Sequence, residues 1–176
     1  MALRARHLNC GTMCPYGARL IHGHGGLLAP GKLVCHCLLV ETSRGLVLVD
    51  TGFGERDLRA PAARLGRAFL ANTRPLLAPE ETAVARLRAL GHDPRDVVLT
   101  HLDLDHAGGL ADFPEARVHV AKNEHAAAMA RSTLFEKSRY RPAQWSHDVQ
   151  WVEHAQFGAL QRLAPRPTGP RRAHAL

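Results

Sequence analysis

Aromatic side chains are scarce, at 5% of the 176 residues, which removes the stacking platform that a single-strand nucleic-acid binder needs. No stretch approaches the roughly 20 consecutive apolar residues of a membrane span, so no membrane partner is expected. The first ten residues are basic but hold no apolar core, so no secretory signal is expected there and the cytoplasm is the expected compartment. Cysteine is limited to four residues, Cys10, Cys14, Cys35 and Cys37, which in that compartment stay reduced thiols. Acidic residues are missing after position 157, where Arg162, Arg166, Arg171 and Arg172 carry four of the formal +7 charges. The +3 that is left is ordinary for a globular domain, and nucleic acid is not an expected partner. Three motifs are also absent: Gly-x-Ser-x-Gly, His-Glu-x-x-His and the phosphate loop Gly-x-x-x-x-Gly-Lys-Ser/Thr. Their absence sets aside serine-esterase, zincin and P-loop chemistry.

What is present suits one domain with an apolar fraction of 45%. Residues 3–9 read as a strand, and the glycine-rich stretch 10–32 as a long loop. Residues 33–41 and 46–50 are apolar, and Thr42-Ser43-Arg44-Gly45 between them has turn chemistry, so a hairpin of buried strands is expected. A helix is expected over 57–71, with Pro61 early in it. A second opens at Pro79-Glu80-Glu81, shows Val84, Leu87 and Leu90 on one face and stops at Gly91. Residues 97–99 and 116–121 are short strands, and 123–131 is an alanine-rich helix with Asn123 as its cap. After Trp151 the periodicity decays. A folded domain over 1–157 and a disordered Pro/Arg-rich tail over 158–176 are the expected organisation.

The richest segment is Thr100-His101-Leu102-Asp103-Leu104-Asp105-His106-Ala107-Gly108-Gly109. Two imidazoles and two carboxylates within six positions, with no thiolate, are donors suited to a catalytic divalent metal. In extended chain, residues two apart share a side, so His101, Asp103 and Asp105 would converge, with His106 joining at a turn that Gly108-Gly109 permits. Leu102 and Leu104 would face the core. The alternative is a polar turn with incidental histidines, but four donors at a strand's carboxyl end are hard to explain by turn chemistry alone. A calcium loop starting at Asp103 is excluded because Ala107 and Pro114 stand at its fifth and twelfth places. His22 and His24 read as loop residues. A structural zinc on Cys10, Cys14, Cys35, His36 and Cys37 is geometrically poor, since Cys-x-Cys in a strand suits a buried hydrophobe better.

With these residues in view, the chain resembles the metallo-β-lactamase-fold hydrolases over roughly residues 3–157. The run from Val98 to Gly109 is similar to that superfamily's His-x-His-x-Asp-His loop. Leu46-Val47-Leu48-Val49-Asp50-Thr51-Gly52, about 50 residues earlier, is similar to its strand motif ending in Asp. Within the superfamily the likeness is greatest to the lactonase-type branch. The resemblance implies an α/β fold, an αββα sandwich, with two metal ions. His101 and Asp103 would bind one ion and Asp105 and His106 the other, while Asp50 orients the loop. Zinc is the implied cofactor, with iron or manganese also suited to the donors. A metal-bound hydroxide would attack a lactone or ester carbonyl of a small-molecule substrate, and Asp105 would assist proton transfer.

The chain departs from the family pattern in three ways. Asp103 stands where most relatives carry His, and the strand before the cluster is short. The second half's Gly-His-Thr-x-Gly-His stretch, bridging Asp and final His have no counterpart. His147 and His154 lack that context, and His174 falls in the tail. Only the N-terminal half of the sandwich is therefore expected, with one sheet face uncovered. The alternative to an active hydrolase is a truncated, inactive fragment that forms a homodimer or needs a partner half.

Overall fold

The computed structural model describes residues 4–155, so the tail expected over 158–176 lies outside the described residues. Six strands make one sheet whose order follows the chain. They are β1 (Arg4–Met13), β2 (Leu33–Thr42), β3 (Gly45–Val49), β4 (Asp96–Val98), β5 (Arg117–Ala121) and β6 (Gln150–His154). β1, β2 and β3 pair antiparallel, whereas β3 through β6 are parallel neighbours. A parallel pair needs a crossover where an antiparallel one needs only a turn. Accordingly β2 and β3 are joined by a turn in which Thr42 Oγ1 donates to the Gly45 carbonyl at 2.8 Å.

Helices fill the longer links. α1 (Ala18–His22) lies between β1 and β2. α2 (Glu55–Arg59), α3 (Pro61–Arg64), α4 (Arg67–Thr73) and α5 (Ala83–Ala89) lie between β3 and β4. α6 (Leu104–Ala107) follows β4, and α7 (Lys122–Ala130) and α8 (Leu134–Arg139) link β5 to β6.

The strands bury mainly one face. Cys10, Cys37, Leu39, Leu48, Val97, Val118 and Val120 meet Val84 and Leu87 of α5 and Ala128 of α7 in one apolar cluster. Met13 and Cys35 extend that face into a second cluster with Phe53, Leu65 and Leu104. On the opposite face the register aligns His7, Leu38, Val49, Val98, His119 and Val152 in one row across all six strands. Of this row Val98 and His119 are buried, whereas Leu38, Val49 and Val152 are only partly so. Among the described residues, then, there is one sheet with its helical layer on one side. The expectation of two fully buried hairpin strands needs correcting. In β2, Cys35, Cys37 and Leu39 are buried while Val34 is 45% exposed, because the two faces have different neighbours although both are apolar.

Local departures have local causes. The helix expected over 57–71 is three pieces: Pro61 starts α3, and Gly66, at φ 84°, separates α3 from α4 in a conformation that costs other residues energy. The loop expected from residue 10 is instead strand as far as Met13, with an irregularity between Asn9 and Thr12. α5 is capped by Thr82, whose side chain accepts from Ala85 N, after a separate turn at Pro79–Glu81. α7 starts one residue before Asn123, so that residue is not its cap. α8 and β6 were not anticipated. The former carries a legible signal, a capping box in which Thr133 and Glu136 satisfy each other's backbone N–H groups.

Arg64 forms a buried ion pair within the pieces between β3 and β4 and ties them by a hydrogen bond to the segment after α8. Arg64 Nε donates to Asp57 Oδ1 at 2.7 Å and its Nη2 to Gln144 Oε1 at 2.8 Å, with Asp57 and Gln144 fully buried. Removing one partner of such a pair leaves the other uncompensated, at a cost of about 3–5 kcal/mol. Arg64→Ala should therefore lower the midpoint of urea unfolding by the equivalent of about 3 kcal/mol.

Candidate metal centre

Parallel packing of β3 and β4 brings their carboxyl ends side by side, where open α/β sheets place their ligands. β3 delivers Asp50-Thr51-Gly52 and β4 delivers the run from Thr100 to Gly109. Asp50 is buried and adopts a left-handed backbone, φ 59°, which Asp tolerates better than most residues. That turn sends its carboxylate across the gap. Oδ1 accepts from Thr100 N at 2.8 Å, while Oδ2 accepts from Thr100 Oγ1 at 2.8 Å and from His106 Nδ1 at 2.9 Å. Thr51 N and Oγ1 both donate to the His106 carbonyl at 2.8 Å, fastening the loops a second time.

The four donors meet in pairs. His101 Nε2 lies 3.4 Å from Asp103 Oδ2, and His106 Nε2 lies 3.6 Å from Asp105 Oδ2. The two imidazoles are adjacent, with ring centroids 3.9 Å apart. Thr100 Oγ1, whose proton goes to Asp50, accepts from His101 Nδ1 at 2.9 Å. Each ring is therefore held through Nδ1 and turns Nε2 toward a carboxylate, the orientation that metal-ligating histidines take. Two donors at about 2.1 Å from one tetrahedral ion stand roughly 3.4 Å apart, so both pairs have the spacing of co-ligands. The donor types are those that suit a divalent metal, and they stand as two pairs. No three donors among the described residues form a complete cage.

This differs from the strand-like convergence expected of His101, Asp103 and Asp105. α6 begins at Leu104 with Asp103 as its N-cap, so alternation ends there and Asp105 joins His106 instead. Leu102 enters the larger apolar cluster and Leu104 the smaller, which pins the loop between two cores. The glycine pair also acts differently from the tight turn expected of it. Gly108 has an ordinary helical backbone, but a Cβ on it would run into the Asp57 carboxylate and the Gly52 carbonyl. Close approach of the two loops, rather than turning, demands glycine there.

Thr100, Glu124 and Arg139 also contact the candidate donor loop, which the sequence did not single out. Arg139 Nε donates to Asp103 Oδ1, and Glu124 Oε1 accepts from Leu102 N at 2.9 Å. Thr100 was legible as the residue opening the motif. Glu124 and Arg139 lie 18 and more positions beyond His106 and carry no local signal. Burial pushes the Asp103 carboxyl up, but the bonds and charges of His101 and Arg139 outweigh it and hold it below the usual range. Burial likewise lowers His106, yet the hydrogen bond and charge of Asp50, with Asp105 and Asp103 behind it, leave it above its ordinary 6.5.

Elsewhere the rival sites have ordinary explanations. Burial raises the Cys35 thiol far above its usual range, and the hydrogen bond with Cys10, followed by burial, does so for Cys37, so both are neutral fillers of the apolar face. His22 Nε2 accepts from Lys32 N at 2.8 Å, closing the loop between β1 and β2. His154 meets His119, Nε2 to Nδ1 at 2.9 Å, on the strand face away from α5.

Comparison with known proteins matches residues 30–173 to the Metallo-beta-lactamase superfamily. A probable metallo-hydrolase of Mycobacterium tuberculosis is 45% identical over 159 residues, covering 89% of this chain and 46% of that protein. An N-acyl homoserine lactonase of Bacillus thuringiensis is 34% identical over 116 residues, 62% of this chain and 46% of that one. The chain thus spans a little under half the length of these curated relatives. Among solved structures, an N-acyl homoserine lactone hydrolase with N-hexanoyl-L-homoserine at its catalytic metal centre shares the fold. Its TM-score is 0.66 at 22% identity, covering 88% of this chain and 60% of that one.

A raised His106 pKa gives the metal-free protein a definite pH dependence. The His106–Asp50 pair stabilises the fold fully below the unfolded histidine pKa, near 6.5, and that contribution is lost as pH rises through the folded value. Melts of chelator-treated protein should therefore show a fall in Tm from mildly acidic to mildly basic pH that is absent in His106→Gln. Parallel curves for the two would contradict the assignment.

Proposed function

Because the chain belongs to the metallo-beta-lactamase superfamily, we propose that it is a metal-dependent hydrolase acting on an ester or lactone carbonyl through the loop His101–His106. The observation that carries this reading is the orientation of two imidazoles by their Nδ1 atoms, each with Nε2 facing a carboxylate oxygen, at 3.4 and 3.6 Å. His101 and Asp103 would hold one ion, Asp105 and His106 the other. Nitrogen and oxygen donors suit zinc first, with iron or manganese also compatible. A divalent ion bound there supplies an acidified water and a Lewis acid for the carbonyl oxygen.

The chain's own residues do the rest. Asp50 keeps the His106 ring turned and its Nδ1 protonated, so that Nε2 is free as a donor. Thr100 does the same for His101. Asp105, about a quarter exposed beside His106 Nε2, would hold a proton and pass it to the departing alkoxide. A lactone is the favoured substrate class because relatives at about a third identity are N-acyl homoserine lactonases. No helix among the described residues is long and apolar enough to cross a membrane. A second reading has one observation in its favour: each half has two donors where a catalytic centre takes about three. In that reading the chain is inactive alone and gains its remaining donors from a second copy or a partner half.

Zinc titration of chelator-treated protein, followed by pH-indicator assay of N-hexanoyl homoserine lactone opening, tests both. The expected result is zinc binding that weakens in His101→Ala and in His106→Ala. Zinc-dependent turnover should fall by about 100-fold or more in Asp105→Asn. Zinc binding indifferent to both histidines would refute the site, and zinc binding without turnover would favour the second reading.

A further inference from the structure

Asp103 is held from two sides. Its Oδ2 faces His101 Nε2 at 3.4 Å, whereas its Oδ1 accepts from Arg139 Nε on α8. Arg139 is itself immobilised: Nη1 donates to Tyr140 Oη at 3.0 Å and Nη2 to Glu124 Oε1 at 3.4 Å. Glu124 Oε1 in turn accepts from Leu102 N, the residue next to Asp103, so the contacts close into a circuit around the donor loop. Tyr140 is 1% exposed and stands in the larger apolar cluster, which gives the circuit a rigid footing. With Nε, Nη1 and Nη2 all committed, the guanidinium is occupied with the protein and poorly placed to receive a substrate anion.

Resting on the metal-centre reading above, we propose that Arg139 is a positioning residue that makes Asp103 a one-oxygen ligand. A carboxylate with both oxygens free can chelate an ion through both or swing between ions. With Oδ1 taken by a rigid fork, Oδ2 alone is presented beside His101 Nε2. The same cation offsets part of the negative charge that Asp50, Asp103 and Asp105 gather around two imidazoles. Lysine would not substitute, because a point charge on a flexible stem lacks the planar fork that reaches Asp103, Glu124 and Tyr140 together.

The test is metal binding, with activity left aside. Zinc affinity is measured by competition with a chromophoric chelator, and the Co(II) visible spectrum reports coordination. Arg139→Ala should weaken the zinc class that is lost in His101→Ala by about 10–100-fold and dim the Co(II) bands as Asp103 closes onto the ion through both oxygens. Arg139→Lys should resemble Arg139→Ala, and Arg139→Gln should recover part of the affinity by restoring a donor. In Asp103→His, which has no second oxygen to restrain, adding Arg139→Ala should change zinc affinity less than twofold. Thermal melts identify any variant that is merely unfolded, in which case the folded one of Arg139→Gln and Arg139→Lys carries the comparison. Unchanged or tighter zinc binding in Arg139→Ala overturns the role of Arg139 and leaves the metal centre standing. Wild-type protein with no His101-dependent zinc binding overturns both.

Discussion

One buried carboxylate governs the geometry at the carboxyl ends of β3 and β4. Asp50 receives Thr100 N, Thr100 Oγ1 and His106 Nδ1, and so fixes in one step the backbone entering the donor loop and the ring leaving it. Its left-handed backbone is unfavourable by about 1–2 kcal/mol. Charge-assisted hydrogen bonds, worth roughly 1.5–3 kcal/mol each, offset that strain. Without them Thr100 would no longer orient His101, and the two imidazoles would lose a common reference. The distances from each Nε2 to its carboxylate are consequences of this anchor.

The loop also needs support from below. Leu102 and Leu104 enter different apolar clusters, so a donor stands between two leucines that point into separate cores. Gly108 lets the Thr51–Gly52 backbone approach to hydrogen-bonding distance, with Gly109 N donating to the Gly52 carbonyl at 3.1 Å. Beneath Gly108 lies Asp57, held by Arg64, whose reach to Gln144 couples the donor loop to the chain after α8. The loop from His101 to His106 is thus anchored in both apolar clusters. The outer strand face, with its row from His7 to Val152, lies on the other side of the sheet.

Much of this could be read from the chain in order. That Asp50, His101, Asp103, Asp105 and His106 belong together was legible from residue type and close spacing, and the structure does bring them to one place. The β2–β3 hairpin and the strands at β4 and β5 followed from apolar runs and turn residues. Errors arose where a rule of local period met a change of conformation. Alternation failed at Leu104 because a helix starts there, and a single helix over 57–71 failed at Pro61 and Gly66. β2 misled for a different reason: a strand apolar on both faces hides which face is covered.

The sequence by itself determined the family, since that rests on residue type and spacing within short segments. It also determined the charge at Asp103, a property of one side chain. Which donors pair, and what holds them, only the tertiary structure decided. His101 with Asp103 and His106 with Asp105 is an outcome of where α6 begins and of how Asp50, from a different strand, grips the loop. Arg139 and Glu124 reach the loop after β4 from beyond the next strand because β5 lies beside β4 and leads into α7 and α8. Contacts between residues distant in sequence exist only once the sheet has set its register, and no local pattern encodes them.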